Sequence, residues 1–164
     1  MRLFSSKKFQ SHKNNYLFGS SSAIITNLGL IAGLYSTSNA KLNILGSILL
    51  IAIADNISDT LGIHIYQEAE GLKAKEVWFS SFTNFSSRLI VSSFFALLII
   101  FLPLQSALIY SMILGLMLIS IISYFIAIHK KNNPYIAIIE HIGIALLVIV
   151  LSRILGNYIV NKFH

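Results

Sequence analysis

The chain has 164 residues, of which 55% are hydrophobic and only 11% charged; 12 Lys and Arg face 6 Asp and Glu, giving a net charge of +6, and there is no cysteine. Soluble domains carry roughly 25% charged residues, so this chain cannot coat a water-exposed surface of normal size, and its mean hydropathy of +0.76 excludes disorder. What remains is an all-α polytopic membrane protein, in which lipid takes the place of water around most of the chain. Without cysteine there are no disulfides and no thiolate nucleophiles or metal ligands, so any metal must rest on carboxylate, imidazole, hydroxyl, thioether or backbone oxygen.

Residues 1–15 read as a basic cytoplasmic N-terminal segment carrying Arg2, Lys7, Lys8 and Lys13. The apolar stretch that follows lacks a small-residue cleavage pattern at its end, so the first span is expected to stay in the mature protein. Residues 16–164 are expected to form a single five-helix transmembrane domain, with spans at about Tyr16–Tyr35, Asn43–Tyr66, Ser81–Leu102, Gln105–Ile128 and Tyr135–Tyr158. Pro103 and the turn around Asn133-Pro134 mark the last two breaks. Lys73, Lys75, Lys130 and Lys131 fall on the same side as the N-terminal basic residues, whereas the other side has Lys41, Arg153 and Lys162. That bias predicts a cytoplasmic N-terminus and an external C-terminus. It also reads as a collar for anionic lipid headgroups, and no nucleic-acid partner is expected, because the basic residues are scattered over separate loops.

In span one, Gly19, Ser22, Thr26, Gly29 and Gly33 share a face, and Gly29 and Gly33 form a GxxxG pair that admits another backbone. This predicts helix packing and a homodimer contact near span one. A second reading has Ser22, Thr26 and Asn27 lining a polar path.

Span two holds the residues a membrane tolerates least. Asp55 and Asp59 lie one helical turn apart, on a narrow face with Ser58, Gly62 and Tyr66. Two ionised carboxylates at that spacing repel, so either one holds a proton or a cation sits between them. The bland alternative is that both are neutral or hydrogen-bonded to Ser, Thr and Asn of neighbouring helices. His64 falls on the opposite side and reads as interfacial. Glu68, Glu70 and Glu76 alternate with Lys73 and Lys75 as a salt-bridged, solvated continuation of span two, or as an acidic mouth that gathers cations.

Arg88, among Ser86, Ser87, Ser92 and Ser93 of span three, is expected to pair with a carboxylate such as Asp59, Glu68 or Glu140, or to reach toward headgroups. Glu140 and His141 follow Asn133-Pro134, where the start of a helix favours an acid; a role as metal or proton ligands is the alternative. No HExxH, GxSxG or P-loop pattern occurs, and no serine or histidine is spaced as a nucleophile with its base, so no enzymatic activity is expected.

The stretch Phe18-Gly-Ser-Ser-Ser-Ala-Ile-Ile-Thr-Asn-Leu-Gly-Leu-Ile-Ala-Gly-Leu34 resembles the first helix of the vacuolar iron transporter family, in which a G-x-x-D-G stretch leads into a small-residue run ending in A-G-L. Ile57-Ser58, Leu61-Gly62 and Glu70 are similar to that family's second-helix pattern, Pro103 to the proline that ends its third helix, and Gly156 to a late glycine of its fifth. The likeness covers about residues 18–158. It departs from the family where the first-helix aspartate falls on Ser22, the following glycine on Ala23 and the second-helix methionine on Asp59, and where the metal-gathering insertion between helices two and three is missing.

The resemblance implies a homodimeric inner (plasma) membrane transporter moving ferrous iron or manganese out of the cytosol, often against protons. Divalent metal ion and membrane lipid are then the partners, and no cofactor is expected. The expected metal-site residues are Asp55 and Asp59, with Ser58, Asn56, Ser22 and Thr26 as weaker oxygen donors and Glu70 and Glu140 on the cytoplasmic side; such oxygen-rich sites suit hard cations. The competing expectation is a non-transporting membrane scaffold whose aspartates only fix helix packing.

Overall fold

The structure, a computed structural model, describes residues 2–163, with side chains from Tyr16 onward. Five helices follow one another: α1 (Arg2–Leu34), α2 (Ala40–Ala69), α3 (Ala74–Phe101), α4 (Leu104–Lys130) and α5 (Pro134–Phe163). All five contain stretches long and apolar enough to cross a bilayer, which makes the chain a multi-pass membrane protein by length and composition. The helices run past the sequence-based limits because polar residues at a membrane surface continue a helix as readily as apolar ones. Thus α2 absorbs Gln67 and Glu68, and α1 starts within the basic segment.

Each turn has a local cause. Gly71 takes a positive φ of 72° after α2, and the Leu72 and Gly71 N–H groups close back on the Gln67 and Glu68 carbonyls, a C-cap that favours glycine. Lys131 adopts the same left-handed geometry after α4, with Asn132 N–H donating to the Ala127 carbonyl. Asn133 then caps α5 by accepting the Tyr135 N–H at 3.0 Å, and Pro134 occupies the first helical position, where a missing N–H does no harm. Pro103 separates α3 from α4, and the Lys41 ammonium donates to the Ile100 and Leu102 carbonyls left open at the end of α3.

Helix α1 lies at the centre, against α3, α5 and α4, and meets α2 near the 35–39 turn. At that end the interior is apolar, built from Ile24, Leu28, Ile31, Ile44, Ile48, Phe95 and Ile99. Toward the end carrying Lys73, Lys75, Lys130 and Lys131, here called the basic end, the interior turns polar: Ser80, Ser81, Asn84, Ser87, Arg88 and Ser92 of α3 are all buried.

The Gly29 and Gly33 face corrects the expected dimer contact. Gly29 packs on Val148 and Ser152 of α5, Gly33 on the Ser152 backbone, and a Cβ added at Gly156 would run into the Gly33 carbonyl. The small residues bring α1 and α5 of one chain together, so this face is used up within the fold.

Candidate functional site: an arginine behind two carboxylates

Midway along α2 the helix widens into a π turn over Ile51–Asp55, where the Asn56 N–H reaches back to the Ile51 carbonyl. The inward face of α2 runs through Ile44, Ile48, Ala52 and Asn56 at steps of four, a spacing that an ideal helix of 3.6 residues per turn would carry steadily around its axis. The wider turn offsets that drift. It keeps Asn56 aimed at α3, where its amide donates to the Phe85 carbonyl at 2.9 Å.

Asp55 closes this turn and Asp59 lies one helical turn further on, and Arg88 reaches both from α3. Arg88 Nη2 lies 2.5 Å from Asp55 Oδ2, and Nη1 lies 2.5 Å from Asp59 Oδ2. Nη1 also donates to Ser22 Oγ of α1 at 2.8 Å. One planar fork therefore ties three helices, a geometry that a lysine's single point of charge would not reproduce. The arginine side chain is 3% exposed, whereas those of Asp55 and Asp59 are 44% and 41% exposed. The cation is inside the bundle and the carboxylates are on its flank. With both acids ionised, two negative charges face one positive charge.

A polar seam continues toward the basic end between α2 and α3. Asn84 donates to Thr60 Oγ1 at 3.2 Å, and Gln67 Nε2 to Ser80 Oγ at 2.7 Å. Ser81 gives its hydroxyl proton to the Val77 carbonyl, so the His64 Nδ1–H is the donor in their 3.0 Å contact. His64 Nε2 lies 3.4 Å from Glu68, and the ring edge meets Trp78. On the other side of α3, Asn27 of α1 donates to Ser92 Oγ at 3.0 Å.

The sequence-derived site residues separate into three groups. Asp55, Asp59 and Ser22 come together through Arg88, and Ser58 is exposed on the same α2 segment. Asn56 is buried toward α3, and Thr26 is half-buried one turn beyond Ser22. Glu70, at the C-cap of α2, and Glu140, on α5, are exposed, and neither forms an ion pair among the described residues. Among the described residues no three His, Asp or Glu side chains gather as metal ligands. His141 bonds Ser123 rather than any acid.

Of the partners weighed for Arg88, Asp59 is the one engaged, together with Asp55. Its simultaneous hold on both acids and on Ser22 goes beyond the single carboxylate partner the sequence suggests. The signal was present: a lone arginine amid serines in an apolar span needs a carboxylate at its own depth. Comparison with protein-family models, curated proteins and solved structures finds no match for this chain.

Proposed function

We propose that the chain is a membrane transporter of divalent metal cations, iron or manganese, working as a homodimer through the flank that carries Asp55 and Asp59. The observation that carries this reading is the split exposure of the charged centre. The buried guanidinium offsets one carboxylate charge, and the second is presented outward, at mid-helix, by side chains more than two-fifths exposed. Lipid is a poor medium for that residual charge, at roughly 2.5–3.5 kcal/mol or more per charged side chain near the bilayer centre. A second copy of the chain laid on this flank, with exposed Ser58, Gly62 and Tyr66 along it, removes the charge from lipid. Two such centres carry an excess of two negative charges, which one divalent cation balances, and carboxylate and hydroxyl oxygens suit iron(II) and manganese(II). Protons replacing the cation on the same carboxylates supply the exchange, with export from the cytosol as the direction. The likeness of the α1 and α2 motifs to the vacuolar iron transporter family supports the same reading.

A scaffold without transport is favoured by one specific feature: Arg88 already bonds both acids, as a finished structural contact would. Uptake into proteoliposomes, over a panel of divalent cations with and without a pH gradient, separates the two. Transport requires saturable uptake of at least one cation, and the scaffold requires none above protein-free vesicles.

A further inference from the structure

At the basic end, α1, α2, α4 and α5 leave a cleft of about 540 Å³ that takes no part in the Arg88 centre. Its walls are apolar, from Ile25, Ile63, Ile119 and Ile122. Its floor and rim lie far apart along α4: from Ile119 to Lys130 the helix rises about 16 Å. The cleft therefore runs from the depth of a lipid headgroup to about the middle of a hydrocarbon core roughly 30 Å thick.

Polar side chains of Ser21, Tyr66, Gln67, Ser123, Lys130 and His141 also line it. Lys130 has no acidic partner among the described residues, and neither Asp nor Glu lines the cleft. Ser123 gives its hydroxyl proton to the Ile119 carbonyl at 2.6 Å, so it must accept from His141 Nδ1 at 2.7 Å. In the neutral ring this leaves His141 Nε2 as a bare acceptor. Gln67, 7% exposed, donates its Nε2 to Ser80, and its Oε1 is buried without a donor. The cleft thus presents an apolar channel, one unmatched positive charge and, at His141 Nε2, an acceptor that calls for a hydroxyl donor.

We propose that this cleft is a binding site for one anionic phospholipid with a hydroxylated headgroup. An acyl chain lies between the isoleucines, the phosphate meets Lys130, and a headgroup hydroxyl donates to His141 Nε2. An anionic headgroup without hydroxyls satisfies only the lysine, and a zwitterionic one places its own ammonium beside Lys130. The site stands independently of the transport reading.

The test is native mass spectrometry of the full chain taken from nanodiscs of equal phosphatidylglycerol and phosphatidylcholine, counting the lipid retained. One phosphatidylglycerol per chain is expected, with phosphatidylcholine excluded. Lys130→Gln, at an exposed helix end, should lower retention of phosphatidylglycerol about fivefold, the effect of one surface cation on an anionic lipid. Ile122→Trp fills the channel and should release the lipid with the oligomer unchanged. Equal retention of the two lipids, or a Lys130→Gln chain with wild-type retention, overturns the proposal whether or not the tryptophan variant folds. An Ile122→Trp chain that changes oligomeric mass without releasing lipid also overturns it, because a second copy then occupies the cleft.

Discussion

Arg88 holds Asp55 from inside the bundle, Nη2 to Oδ2 at 2.5 Å, with the arginine side chain 3% exposed and the aspartate 44% exposed. The positive partner cannot leave without exposing a hole among α1, α2 and α3, whereas the negative partner already borders the outside. The pair is therefore asymmetric in what its two halves do: the arginine anchors the fold, and the carboxylate faces whatever covers α2.

Removal of the arginine should accordingly be felt as instability. Arg88→Gln leaves two acids without their cation, and because those acids are more than two-fifths exposed the loss should be on the order of 1 kcal/mol. Thermal unfolding in detergent should show a clear loss. Adding Asp59→Asn to that variant should recover part of it, because fewer unpaired charges remain. A double variant no better than Arg88→Gln alone would show that Asp59 is not coupled to the arginine.

Gly156 faces the Gly33 carbonyl so closely that a methyl group has no room. Gly156→Ala should destabilise the chain by about 1–3 kcal/mol through forced separation of α1 and α5. Gly46, with open space around it, is the control: Gly46→Ala should be neutral or stabilising by up to ~1 kcal/mol. Equal behaviour of the two variants in thermal unfolding would remove the close α1–α5 contact from the account.

The placement of Lys73, Lys75, Lys130 and Lys131 at one end predicts that this end lies in the cytoplasm. The chain has no cysteine, so single reporters are clean. Asn161→Cys should react with an impermeant maleimide added to intact cells, and Asn132→Cys only after lysis. The opposite pattern would invert the topology.

The spans were legible in the sequence because a bilayer demands about twenty apolar residues in a row and tolerates few charges among them. The charges within the spans stand out for the same reason, and Asp55, Asp59 and Arg88 read as residues in need of partners. Which partner each would find was not legible. Asp59, Glu68 and Glu140 all lay within the sequence logic for Arg88, and only the α2–α3 register, adjusted by the π turn at Ile51–Asp55, selects the pair of aspartates. Gly29 and Gly33 announced a close helix contact, but a stripe of small residues carries no record of whether the approaching backbone belongs to the same chain. Here it is α5, with Ser152 and Gly156 as the matching surface. Nor does spacing reveal the cleft at Lys130, which arises from how four helices diverge.

Asp55 and Asp59 are proposed to carry a divalent cation across the membrane. The most direct test of that role compares manganese(II) and iron(II) uptake into proteoliposomes by the wild type and by the Asp55→Asn/Asp59→Asn variant, matched for protein incorporated and for oligomeric mass. Asparagine keeps the shape and much of the hydrogen bonding of aspartate while removing its charge. The account predicts saturable uptake by the wild type and uptake at the level of protein-free vesicles for the variant. Wild-type flux that persists undiminished in the double variant would contradict it.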